Sequence, residues 1–345
     1  MSFSGADRAQ AVVAFGGGHG LAASLQALRL LVDDLVIDDL TAVVTVADNG
    51  GSSGRLRGEF GVLPPGDLRM ALAALCSDHQ WGDTWARVLQ HRFAGNGEMN
   101  GHVIGNLLIV GLWEQLGDPV AALDWVGRLL GAAGRVLPMA LTPLDITAEV
   151  RGLTPSGTTR IRGQVQVAST PGEIVSIALA PPDPKPCPEA LVAVREADWA
   201  VLGPGSWFTS VMPHLLVPAL HDALVRTDAR VIVVLNLVDE AGETSGFGPA
   251  DHLAALVEHA PDLRIHTVLA DRTTVGEDHH DLESAVASFG ARLHVADLAC
   301  DDGSPRHDPA RLAAAYAEII TGPCRGLEDP PRRPPLTSPP PAEGR

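Results

Sequence analysis

The chain has 345 residues, a formal net charge of −17 and 46% hydrophobic residues. That composition fills a sizeable core and argues against a general nucleic-acid-binding surface, which needs basic residues facing phosphate. No apolar run reaches the roughly 18 residues of a membrane-spanning helix, and the first residues lack the basic and apolar regions of a secretory signal, so a cytoplasmic protein is expected.

The first strand is expected at AVVAF, residues 11–15, followed by Gly16, Gly17, Gly18, His19 and Gly20, then a helix with leucines at helical spacing. A glycine loop between strand and helix lets backbone N–H groups approach a phosphate. It also serves as a tight turn, and His19 can simply be exposed. LTAVVTVAD reads as a second strand ending at Asp48. Asn49, Gly50, Gly51, Ser52, Ser53, Gly54, Arg55 and Arg57 come next. Two readings stand for this stretch. The hydroxyls and guanidinium groups bind phosphate, or the serines cap a helix and the arginines are solvated.

Pro64-Pro65-Gly66 then places Asp67 at the start of the helix DLRMALAALC. Asp67 either caps that helix or shares a Mg²⁺ with Asp48, an ion that takes oxygen ligands and keeps water and phosphate in its other positions. Helices follow at TWARVLQHRF, GHVIGNLLIVGLWEQLG and DPVAALDWVGRLLG. In the second of these, His102, Gly105 and Asn106 carry polarity into an apolar helix, either for a ligand or for packing.

From about 145 to 180 the pattern becomes ITAEVRGL, TRIRGQVQV and EIVSIALAP, separated by turns, which reads as an antiparallel β insertion. Strand and helix then alternate to the final helix PARLAAAYAEII. The alternation predicts an α/β fold, a Rossmann-like, doubly wound, mostly parallel sheet with a small antiparallel insertion. The expected organisation is an N-terminal tail over 1–10, one α/β domain over 11–323 and a disordered Pro-rich tail over 324–345. The four cysteines have no metal-ligand spacing and read as thiols.

Ligands of open parallel sheets bind beyond the carboxyl ends of the strands. Two further loops therefore join the candidate site. Gly203, Gly205, Ser206, Thr209 and Ser210 follow DWAVL, and Asn236 with Glu243 and Thr244 follows RVIVVL. Glu243 can equally be a surface acid. Arg306, before the last helix, either reaches the ligand or stays solvated.

GGGHGL, TVADNGGSSGRLR, PPGDLRMALAAL, LQHRF, GHVIGNLL, GRVLPM, VLGPGSWFTSVMP and GETSGFGPADH, in that order, resemble the YvcK branch of the CofD-like family (gluconeogenesis factors, UPF0052), the actinobacterial CuvA-like form above all. The resemblance covers roughly residues 11–320. It implies a UDP-sugar ligand such as UDP-N-acetylglucosamine, a regulatory role in cell shape, peptidoglycan synthesis and growth on gluconeogenic carbon, and a protein partner in cell-wall synthesis or regulation. Homo-oligomerisation is left open. The related transferase branch implies the alternative, Mg²⁺-dependent transfer of a phosphoryl-linked group from a nucleotide donor. Its metal-binding acids map onto Asp48 and Asp67. Many relatives carry a second acid where this chain has Asn49, which weakens the case for a catalytic metal, though an amide oxygen is still available there.

Overall fold

The computed structural model describes residues 10–322 except 78, 156, 241 and 277–279. The expected tails lie outside that range, apart from Gln10.

Strand β1 (Ala11–Gly16) leads through Gly17 into helix α1 (Gly18–Asp33) and strand β2 (Asp39–Val44). Five helices follow: α2 (Gly51–Phe60), α3 (Gly66–Ala74), α4 (Gln80–Gln90), α5 (Ile104–Leu116) and α6 (Pro119–Leu130). Strand β3 (Arg135–Pro138) precedes the insertion, which comprises β4 (Asp145–Arg151), β5 (Thr158–Arg162), α7 (Gln164–Ala168) and β6 (Glu173–Ala180). The second half runs α8 (Pro188–Glu196), β7 (Trp199–Leu202), α9 (Pro218–Arg226), β8 (Arg230–Val234), α10 (Pro249–His259), β9 (Thr267–Asp271), α11 (Arg272–Val275), α12 (His280–Ser288), β10 (Arg292–Ala296) and α13 (Pro309–Thr321).

Seven strands form one parallel sheet in the order β10-β9-β8-β7-β1-β2-β3. Helices cover both faces, which is why β1, β2, β7, β8 and β9 are apolar along nearly their whole length rather than alternating. The chain builds outward from β1 to β3, then returns to the other side of β1 with β7. The order therefore reverses between β1 and β7, and this is the crevice where such sheets bind ligands.

The insertion is a separate three-stranded antiparallel sheet, β5-β4-β6. Its central strand alternates, burying Ile146, Ala148 and Val150 against the main core and leaving the other face polar.

Three local expectations are corrected. The second strand stops at Val44, four residues before Asp48. Its neighbours give out there: β1 ends at Gly16, β3 ends at Pro138, and beyond them no ladder remains to join. The expected strand TRIRGQVQV ends at Arg162, where Gly163 takes φ 107° and turns the chain into α7. The glycine-rich segment from Gly51 is a ten-residue helix, and the serines do not cap it, since its N-cap is Gly50 without a side-chain cap bond. Gly54 is what allows that first turn, because a Cβ there would stand 2.1 Å from the Asn49 carbonyl oxygen.

Candidate functional site

The loops after β1 and β7 meet face to face at the switch point. A Cβ on Gly20 would stand 2.4 Å from the Pro204 carbonyl oxygen and 2.5 Å from Gly205 Cα, so only glycine allows this contact. Asn236, just past β8, holds the second loop in place. Its Oδ1 accepts from the Gly205 N–H (2.9 Å) and its Nδ2 donates to the Gly205 carbonyl (3.0 Å). Trp207, fully buried, donates from Nε1 to the His252 carbonyl (2.9 Å) and anchors the following turn to α10. Helix α1 begins at this junction with Gly17 as an N-cap that offers no side-chain acceptor. Its first N–H groups and its positive dipole end therefore face the crevice. Gly18 is half-buried, His19 is exposed and Ser206 is half-buried.

Asp48 and Asp67 stand beside that helix end. Asp48 Oδ1 accepts from the Gly50 N–H (2.8 Å). Asp67 lies in the first turn of α3, against Gly17, with Oδ2 2.7 Å from where a Cβ on Gly17 would be. Burial and then the Asp48 charge push the Asp67 carboxyl up to about 7, against the opposing pull of the Gly18 N–H and Arg69. A carboxyl pushed up by burial and by a second acid beside it is relieved by a cation, and oxygen donors of this kind suit Mg²⁺ together with phosphate and water. Among the described residues no group of three or more His, Cys, Asp or Glu side chains could hold a metal. Any ion here would therefore rely on this pair and its ligand.

Ser52, Ser53, His102 and Asn106 are all buried. Ser53 Oγ accepts from the Gly66 N–H (3.0 Å) and so fixes the start of α3. Ser52 Oγ lies 3.1 Å from His102 Nδ1 and accepts from the Val103 N–H (3.3 Å) and Asn106 Nδ2 (3.2 Å). Asn106 Oδ1 in turn accepts from Arg69 Nε (2.9 Å). These four residues join α2, α3 and α5 beneath the acid pair. The chain reading passed over Arg69; the available signal was one cation inside an apolar helix, two residues after Asp67.

The arginines of the opening stretch are engaged elsewhere. Arg55 is exposed and donates to the carbonyls of Glu98 (3.1 Å) and Asn100 (2.8 Å). Arg57 donates to Asp145 (2.7 Å), which also binds Arg162, so it ties α2 to the insertion. Asn49 does the same for α7. Its Nδ2 donates to Gln166 (2.9 Å) and its Oδ1 accepts from the Val165 N–H (3.1 Å). Gln164 then donates to the Thr209 carbonyl (3.3 Å). The short helix α7 thus bridges the loops that follow β2 and β7.

Glu243 is not a surface acid. It is buried 3.4 Å from the Thr209 hydroxyl, and burial followed by the charge of Glu240 pushes its carboxyl up to about 8. Arg306 pairs with Asp302 (2.7 Å) in the loop after β10. Three strand spacings, about 14 Å, separate β10 from β7, so Arg306 is not brought to the switch point. A cleft of about 340 Å³ lined by Leu123, Asp124, Arg128 and Arg135 lies at the start of β3, on the amino side of the sheet, away from all of these loops. Among the described residues no helix is long and apolar enough to cross a membrane, and Cys76, Cys187 and Cys300 are free thiols.

Residues 12–300 match the family described as 2-phospho-L-lactate transferase CofD. A protein of Mycobacterium tuberculosis is 51% identical over 93% of each chain. A protein of Listeria monocytogenes described as a gluconeogenesis factor is 36% identical over 90% of this chain and 95% of its own. The crystal structure of a UPF0052-family protein from Bacillus halodurans superposes with a TM-score of 0.78 at 32% identity, covering 91% of this chain and 99% of that one.

Proposed function

The chain belongs to the CofD family, among its gluconeogenesis-factor (UPF0052) members, and on that premise we propose that it is a nucleotide-sugar-binding regulatory protein with a gluconeogenesis-related role. One observation carries the binding part of this reading. The glycine loops after β1 and β7, the open start of α1 and the Asp48–Asp67 pair converge at the switch point of the sheet. The pyrophosphate of the ligand would lie against Gly16–Gly20 and the start of α1. Asp48 and Asp67 would hold Mg²⁺, which neutralises phosphate charge when bound.

The choice of a UDP-sugar, UDP-N-acetylglucosamine first, comes from the family resemblance. So do the link to cell shape and peptidoglycan and a partner protein in cell-wall synthesis, while a cytoplasmic location is the expectation drawn from the sequence. A sensor needs no nucleophile. A Ser–His contact near the site, Ser52 with His102, is buried and surrounded by its own hydrogen-bond partners.

The acid pair also favours a second reading, Mg²⁺-dependent transfer of a phosphoryl-linked group from a nucleotide donor, which works by positioning and charge stabilisation and needs no covalent intermediate. Isothermal titration with UDP-N-acetylglucosamine, with and without Mg²⁺, separates the two when products are followed by mass spectrometry. Saturable binding without turnover is the expected result. No binding, together with turnover of a deazaflavin acceptor and a nucleotide-activated donor, overturns the sensor reading.

A further inference from the structure

Arg69 is a buried cation that makes no ion pair with a described residue. It is 7% exposed. Its Nε donates to Asn106 Oδ1 (2.9 Å), and its side chain makes no other hydrogen bond to a described residue. The charges of Asp67 and Asp48 reach it, yet neither carboxylate comes within ion-pair distance, and the Arg92 guanidinium repels it. Its Nη nitrogens are not among the fully enclosed polar atoms, so the small opening to solvent lies at the guanidinium tip.

The surroundings are built to hold this side chain. A Cβ on Gly105 would stand 2.8 Å from Arg69 Cγ and Cδ, so the missing side chain leaves room for the Arg69 stem. Asn106 grips Nε and is itself held by Ser52, which also contacts His102. The polar residues of GHVIGNLL thus position an arginine. A guanidinium held this deep, with its Nη donors met by no protein acceptor among the described residues, favours an anion at its tip. A planar fork with two free nitrogens matches two phosphate oxygens.

We propose that Arg69 is the anion-binding residue of this crevice, held by Gly105, Asn106 and Ser52 to take a phosphate of a nucleoside diphosphate beside Asp48 and Asp67. The assignment deepens the nucleotide-sugar reading and rests on it for the organic part of the ligand only. The phosphate part stands on the geometry of Arg69.

The test uses full-length protein and two probes, inorganic pyrophosphate and UDP-N-acetylglucosamine, titrated in Mg²⁺ into wild type, Arg69→Met and Arg69→Lys. Met keeps the stem against Gly105, and Lys keeps the charge without the fork. Circular dichroism and thermal melting report folding. The expected result is that Met weakens pyrophosphate binding by roughly 10- to 100-fold, with Lys in between. If wild type binds pyrophosphate through Arg69 but not UDP-N-acetylglucosamine, the sugar-nucleotide reading falls and this inference stands. If folded Met and Lys variants bind both probes as wild type does, the inference is overturned. It is also overturned if wild type binds neither probe. If Met does not fold, Lys alone decides, since loss of the fork must still weaken pyrophosphate binding at least several-fold.

Discussion

The carboxylate of Asp67 occupies the space that a side chain on Gly17 would need. Its Oδ2 is 2.7 Å and Ser210 Oγ is 3.3 Å from that Cβ position. Gly17 has an extended backbone that any residue adopts, at φ −160°, so the constraint is space rather than conformation. Gly17→Ala should push Asp67 away from the start of α1. We expect a stability loss of about 1–3 kcal/mol, as for other overpacked sites, and Mg²⁺-dependent ligand affinity at least several-fold lower. Denaturant melts and titration calorimetry check both. A variant as stable as wild type with unchanged affinity would remove Asp67 from contact with this loop.

The raised carboxyl of Asp67 makes stability depend on pH with a defined sign. The ordinary value is 3.8 and the folded value is about 7. Between those values the folded protein keeps a proton that the unfolded chain has released. The stabilising contribution is complete below about pH 4 and is lost as pH rises towards 7. Asp67→Asn mimics the neutral form, so the melting temperature of the variant should exceed that of wild type by a margin that grows from pH 4 to 7 and then levels off. Buried His214 and His307, both held down to about 4, act in the opposite direction below their ordinary 6.5. They are common to both proteins and cancel in the difference. Mg²⁺ should narrow the gap above pH 7 by stabilising ionised Asp67. A margin that does not vary with pH refutes the shift.

The fold was legible because the buried strands β1, β2 and β8 are short apolar runs that lead into loops containing Gly, Asn or Asp, with helices between the strands. What escaped was set by neighbours in space. Val44 ends β2 because its partners end. Gly163 turns the chain into α7, which then binds Asn49, over 100 residues earlier in the chain. The site was legible as a set of loops, and Asp48, Asp67, Gly17, Gly20 and Gly205 do come together. Asn49, Arg55, His102 and Asn106 stand in the sequence as ligand contacts or as capping, packing or solvated residues, and the hydrogen bonds seen for them run to α7, to the loop before α5, and to Ser52 and Arg69. A polar residue next to glycine looks the same in sequence whether it faces a ligand or a neighbouring helix. Arg69 escaped because one arginine in the mostly apolar helix DLRMALAAL reads as its solvated position, and only tertiary packing buries it.

Glu243 offers an independent titration. Burial and the nearby Glu240 hold its carboxyl up to about 8, against an ordinary 4.5. The stability it contributes is therefore complete below about pH 4.5 and is lost as pH rises through 8. Glu243→Gln should match wild type at pH 4.5 within about 0.5 kcal/mol and should be the more stable of the two at pH 9. Glu243→Ala removes the partner of the Thr209 hydroxyl and leaves a void, so it should be destabilising at every pH, by about 1–3 kcal/mol. Thermal melts across pH distinguish a buried neutral acid from a surface carboxylate, for which Gln would have no pH-dependent effect.

Asn236 tests whether the crevice depends on a preformed second loop. It makes two hydrogen bonds, to the N–H and the carbonyl of Gly205, at 2.9 and 3.0 Å. Gly205 adopts φ 134°, a conformation open to glycine, and the two bonds from Asn236 select it from the many that glycine can take. Asn236→Ala leaves both backbone groups without that partner, which should lower stability by about 1–3 kcal/mol. Asn236→Asp keeps an acceptor for the Gly205 N–H but sets a carboxylate against the Gly205 carbonyl, so it should be no better than Ala. If the loop is part of the binding crevice, both variants must also weaken UDP-N-acetylglucosamine binding under conditions where they remain fully folded. A loss of stability with unchanged affinity would assign Asn236 to the scaffold alone and place the ligand on the Gly16–Gly20 side of the junction.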